Sequence, residues 1–137
     1  MDDFDSYMKL DLTVQVSDEL LQTIFKSAHR LHPKEAIFLL RGKKTKNLIK
    51  VSELVVPPLA TYGQGFANVP VYMLPMDFSI VGTVHSHPSG NLAPSTWDLN
   101  HFLGIILMIV GFPFTDWRNV AVYNRSGEKL TLEITKA

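Results

Sequence analysis

Apolar and polar residues alternate from Leu10 to Val16, the two-residue period of a strand with one face in a core. The period then changes. Leu20, Leu21, Ile24, Phe25, Ala28 and Leu31 recur at helical spacing and predict an amphipathic helix over 18–31. Ser17 stands where an N-cap belongs, Asp18 and Glu19 fill the first turn where the helix dipole favours negative charge, and Pro33 closes the segment. Ala36 to Leu40 is an unbroken apolar run, as in a strand buried on both faces. Gly42 to Asn47 reads as a hairpin turn leading into a strand from Leu48 to Val56, which Pro57-Pro58 ends. After a flexible loop from Thr61 to Gly65, strands are predicted for Phe66 to Tyr72 and Ser79 to His87. Pro88 to Pro94 is turn-forming, Ser95 opens a short helix to about Leu103, and Ile105 to Val110 is a buried strand. Strands near Val120 to Tyr123 and Leu130 to Ile134 flank an Arg125-Ser126-Gly127 turn. Two helices against six or more strands predict an α+β domain on a mixed or antiparallel sheet.

The 137 residues suit one domain, 1–137, and 46% hydrophobic with 19% charged residues is a globular rather than a disordered composition. Thirteen Lys and Arg balance thirteen Asp and Glu, so no global field draws in a polyanion, and no nucleic-acid partner is expected. The absence of cysteine excludes disulfides, thiolate nucleophiles and thiolate zinc knuckles, which leaves histidine and carboxylate as metal ligands. The acidic start Met1-Asp2-Asp3-Phe4-Asp5 lacks the basic-then-apolar order of a secretory signal. The uncharged run from Phe102 to Phe114, which contains Gly104, Gly111 and Pro113, is shorter than the ~20 residues of a membrane-spanning helix. A soluble, cytoplasmic protein with no membrane partner is the expectation.

The chemistry gathers in the stretch from Val84 to Asp98. His85 and His87 lie two apart at the end of an apolar strand, so both imidazoles take the same face, about 6.5 Å apart along the backbone. The chain then turns back, and Asp98 on the following helix can bring a carboxylate to them. Two histidines and one aspartate describe a catalytic zinc site with an open position rather than a closed structural one. Ser95 and Asp98 also form a Ser-x-x-Asp pair, which taken alone reads first as the capping box of the short helix. His29 and His32 are expected to meet the terminal carbonyls of the first helix, and His101 to lie at the surface or behind Asp98. Arg41, Lys43, Lys44, Lys46 and Lys50 read as a solvated hairpin, with docking of an acidic partner as the alternative.

His-x-His, seven residues, then Ser-x-x-Asp resembles the signature of the JAMM (MPN+) metalloprotease family, carried here by His85, His87, Ser95 and Asp98 with Pro88 and Pro94 between them. Gly82-Thr83-Val84-His85-Ser86-His87-Pro88 is similar to the small, stand-alone prokaryotic and archaeal members, and the resemblance runs from the first helix to the last strand. It implies the MPN (JAMM) fold, an α+β architecture whose mixed β-sheet is curled around and flanked by helices. It also implies one Zn2+ per chain on His85, His87 and Asp98, with Glu35 and Ser95 as catalytic residues. Pro33 to Gly42 is similar to the family element that carries the glutamate, although bulky Ile37 and Phe38 stand where many relatives have a small residue, which predicts an altered pocket floor. Of the five glutamates, Glu35 alone directly precedes a run of five apolar residues, so partial burial and a raised pKa are expected of it.

The activity implied by the resemblance is hydrolysis of the amide bond after the C-terminal tail of a ubiquitin-like protein modifier, an isopeptidase acting on ubiquitin-like conjugates. The alternatives are a metallopeptidase processing sulfur-carrier or cysteine conjugates, a DNA-linked RadC-like member, and a non-catalytic MPN scaffold. The stretch from Leu59 to Phe78 has no room for a long insertion beside its strand, so recognition is expected to rest on the substrate tail. An edge at Phe66-Ala67-Asn68-Val69, within a Tyr62 to Val71 groove, would pair with that tail by main-chain hydrogen bonds.

Overall fold

The computed structural model describes residues 12–56 and 79–136. Thr13–Ser17 forms strand β1, with Val14 and Val16 buried, and helix α1 follows directly over Asp18–Leu31. The helix starts where the cap dictates: the Ser17 side chain accepts the Leu20 N–H at 3.0 Å. Its apolar stripe (Leu21, Ile24, Phe25 and Ala28) is buried in one cluster with Phe38, Leu40, Ile49, Val51, Val84, Met108 and Val110 from the sheet.

Strand β2, Ile37–Thr45, is longer than the apolar run predicts. It continues through Gly42, Lys43 and Lys44, and the turn into β3, Leu48–Val55, contracts to Lys46 and Asn47. Lys43 and Lys44 are exposed, so polar composition marks the solvated end of a hairpin rather than its loop. Gly42 marks a register shift inside the strand, because a Cβ there would lie 2.1 Å from the Lys50 carbonyl oxygen.

The remaining elements are β4 at Ile80–His87, α2 at Thr96–Asn100, β5 at Ile106–Gly111, β6 at Val120–Tyr123 and β7 at Thr131–Thr135. The helix predicted to reach Leu103 stops early. The buried Thr83 hydroxyl donates to the Leu103 carbonyl at 2.8 Å and accepts the Leu103 N–H at 2.9 Å, drawing the chain off the helix and onto β4.

Among the described residues the strands form one sheet in the order β6-β5-β4-β2-β3-β1-β7. It is mixed, since β4 runs parallel to β5, and β1 runs parallel to both β3 and β7. β6 and β7 stand at opposite ends of that order, yet the residues leading into β7 meet β6: Leu130 N–H donates to the Val122 carbonyl at 2.8 Å, beside a Tyr123–Lys129 bridge. The sheet is therefore curled. β5 is buried on both faces: Ile106, Met108 and Val110 face the α1 cluster, while Leu107 and Ile109 join Phe102, Ala121 and Tyr123 in a second cluster. No described helix is long and apolar enough to cross a membrane. Leu10, the strand at Phe66 to Tyr72, the loop at Thr61 to Gly65 and the Tyr62 to Val71 groove lie outside the described residues.

Candidate active site

β4 ends on the two histidines, and its alternation turns both rings to Asp98. His85 Nδ1 donates to Asp98 Oδ1 at 2.9 Å, and His87 Nε2 donates to Asp98 Oδ2 at 3.0 Å. Asp98 comes from α2, where the capping box is formed in full: the Asp98 N–H donates to Ser95 Oγ at 3.0 Å and the Ser95 N–H donates to Asp98 Oδ2 at 2.8 Å. Helix capping and site formation are thus served by the same two residues, because the cap fixes the carboxylate that receives both imidazoles.

Asp98 is 3% exposed. Burial acts to raise its pKa, but the hydrogen bonds from His85, His87 and the Ser95 N–H outweigh it and hold the carboxyl well below the usual carboxylate range. His87 is raised above the ordinary histidine value, chiefly by its bond to Asp98, with burial opposing and with Asn91 and the Glu35 charge adding to it. Its Nδ1 donates to the Asn91 carbonyl at 2.6 Å, so both ring nitrogens face acceptors.

Glu35, His87, Ser95 and Asp98 line one open cavity of about 810 Å³, together with Pro88, Pro94 and Trp97. Glu35 is exposed, contrary to the burial expected of it. The apolar run begins one residue later, at buried Ala36, and leaves Glu35 in the short connection before β2, where it lines the cavity. Ile37 and Phe38 are buried and neither is among the residues lining the cavity, so they do not form its floor.

Ser86, between the two histidines, has a role its position in the sequence does not reveal. Its Oγ accepts the Ala36 N–H at 2.7 Å and its N–H donates to the Ala36 carbonyl at 2.9 Å, fixing the residue next to Glu35 against β4. Trp97 is half-exposed in the cavity and stacks on His101, with centroids 4.1 Å apart and 11° between planes. His101 also donates from Nδ1 to the Trp97 carbonyl at 2.7 Å, which places it behind the cavity wall. At the end of α1, His32 meets the helix carbonyls through its backbone N–H, while its ring stacks on Phe112 at 4.4 Å rather than capping. His29 packs its ring near Phe112 and Phe114, at 6.5 and 6.1 Å. In the basic hairpin, Arg41 pairs with Glu53 at 2.8 Å, while Lys43, Lys44, Lys46 and Lys50 are exposed.

The donors bond one another directly, and among the described residues no three acidic or histidine side chains surround a common point as a ready cation cage. The donor set itself fits zinc: two imidazole nitrogens and one carboxylate held ionised, on adjoining elements.

Residues 17–123 match the family of prokaryotic homologs of the JAB domain. The chain is 30% identical over 133 residues to a probable metalloprotease of Haloferax volcanii, covering 90% of this chain and 81% of that relative. A JAB1/MPN domain protein from Archaeoglobus fulgidus superposes with a TM-score of 0.66 at 35% identity, over 89% of this chain and 99% of that one. A structure described as JAMM, a metalloprotease-like zinc site in the proteasome and signalosome, gives a TM-score of 0.63 at 34% identity, over 90% of this chain and 99% of that one. The curled mixed sheet with its two helices is the MPN fold. The chain belongs to the prokaryotic JAB-domain family and is a small member of the JAMM group.

Proposed function

We propose that this protein is a JAMM-type zinc metallo-isopeptidase that hydrolyses the amide bond following the C-terminal tail of a ubiquitin-like modifier. The observation that carries the reading is convergence: His87, Asp98, Ser95 and Glu35, from three segments of the chain, line a single cavity, and His85 is bonded to the same carboxylate. The relative named as a probable metalloprotease and the 34%-identical zinc-site structure support it.

His85, His87 and Asp98 would hold the zinc ion, three protein ligands being the number that catalytic zinc sites use. Zinc bound there would supply Lewis acidity, which lowers the pKa of water to about 7 and polarises a carbonyl. The chain's own groups do the rest. Glu35, exposed and lining the cavity, takes the proton of the attacking water and hands it to the departing amine. Ser95 Oγ uses a lone pair to accept the Asp98 N–H, which leaves its own O–H hydrogen to donate to the oxygen where negative charge develops. An open cavity, rather than a closed chamber, accommodates an extended tail that enters from a folded modifier.

The test is cleavage of a ubiquitin-like protein fused through its Gly-Gly tail to an unrelated protein. Wild type should cut after the tail, and Glu35→Gln should retain its metal while losing about 10²–10⁴-fold in rate. Glu35→Gln turning over like wild type would overturn the assignment of Glu35. Zinc-loaded wild type that ignores every such fusion but hydrolyses small cysteine conjugates would move the protein to the alternative substrate class.

A further inference from the structure

We infer that Tyr123, on β6 and beyond β5 from the histidines, is a positioning residue for the site: its phenol fixes the loop whose carbonyl orients the His87 imidazole. The inference rests on the zinc reading above for what that orientation serves. The chain of contacts is short. A carbonyl can only accept, so the 2.6 Å bond to Asn91 puts a proton on His87 Nδ1 and leaves Nε2 turned toward Asp98 and the donor set. The Asn91 carbonyl is itself aimed by the two residues after it.

The next carbonyl, of Leu92, accepts the Tyr123 hydroxyl at 2.7 Å. The next amide, of Ala93, donates to Asn91 Oδ1 at 2.9 Å. The Leu92 side chain packs against the second core cluster, to which Tyr123 belongs. On the other side, Gly90 turns the chain at φ +86° and donates its N–H to the His87 carbonyl at 3.0 Å. Two bonds thereby hold the peptide plane between Leu92 and Ala93, directly after the plane that carries the Asn91 carbonyl, and the Gly90 turn holds the chain before it.

Tyr123 is 8% exposed and burial pushes its hydroxyl pKa up, which keeps it a donor. Phenylalanine would fill the same core space, so Tyr123→Phe removes the anchor and leaves the packing. A histidine that loses the partner of its second nitrogen typically costs a metal site about 10–100-fold in affinity.

Two readouts test this on Tyr123→Phe, Asn91→Ala and Asn91→Asp. The first is the exchangeable His87 Nδ1 proton, observed by ¹⁵N-edited NMR on metal-free protein. The second is zinc affinity, measured by competition with a chromophoric chelator. In wild type the proton should be slowly exchanging. In Tyr123→Phe and Asn91→Ala it should exchange out, with zinc affinity about 10–100-fold lower. Asn91→Asp retains the acceptor for the Ala93 N–H and should retain the proton signal. A folded Tyr123→Phe protein with the wild-type proton signal and wild-type zinc affinity overturns the inference. Should Tyr123→Phe fail to fold, Asn91→Ala, whose side chain is exposed, removes the other bond on the same peptide plane, and a wild-type proton signal and zinc affinity there would overturn the inference that this plane orients His87. A wild-type protein with no zinc affinity would count against the functional reading alone, because the proton signal is read without metal.

Discussion

Asp98 carries three duties on one carboxylate. It closes the α2 capping box, it receives both imidazoles, and its ionised state is kept by those same bonds against burial. Ser95 is the other half of that capping box, and Ser95→Ala should do two separable things. Loss of the cap should lower stability by about 0.5–2 kcal/mol in denaturant unfolding. Loss of the hydroxyl donor should lower kcat by about 10²–10³-fold in the fusion-cleavage assay. A stability loss with undiminished kcat would leave Ser95 as a cap only. Ser86→Ala strands the buried Ala36 N–H and should cost about 1–3 kcal/mol, read from the shift in denaturant midpoint at unchanged m. At this scale the motif residues were legible, because His-x-His and Ser-x-x-Asp have fixed spacing. Glu35 was legible in position but not in environment: the run behind it predicts a buried strand, and it stands just outside that strand. Ser86 and Tyr123 were not legible, since their partners lie 50 and 31 residues away in the chain.

Elements were easiest to read where periodicity and punctuation agree. α1 has its cap, its acidic first turn and a full apolar stripe, and its ends fall at Asp18 and Leu31 as the pattern predicts. α2 has a cap but no local stop, and its end is set by Thr83 on another element. β2 overruns its apolar run because an exposed strand end resembles a loop in composition. The packing of α1 predicts its own weak point. Ile24 is fully buried against the sheet, so Ile24→Ala should destabilise by about 2–5 kcal/mol, visible as a lowered midpoint in thermal or denaturant melts. A loss no greater than that of an exposed substitution would mean that α1 does not cover the sheet as described.

For the whole molecule, the sequence pattern yields the strands and the mixed α+β class, but not the order in which the strands pair. The Arg125-Ser126-Gly127 turn suggests a simple hairpin. Instead the chain touches β6 only at Lys129 and Leu130, and β7 then pairs in parallel with β1, from Thr13↔Thr131 to Ser17↔Thr135. That pairing belongs to a curled sheet, whose closure depends on groups far apart in the chain. The same sheet sets β4 between β2 and β5, so Glu35 before β2 and the histidines at the end of β4 open into one cavity. In the proposed enzyme this end of the sheet holds zinc through His85, His87 and Asp98. Elemental analysis of protein prepared with sufficient zinc tests it most directly. Wild type and Glu35→Gln should each contain about one zinc per chain, and His87→Ala should contain essentially none, since a catalytic site needs its three protein ligands. Wild-type protein that carries no zinc and takes up none on titration, or His87→Ala protein that keeps the full amount, would contradict the account.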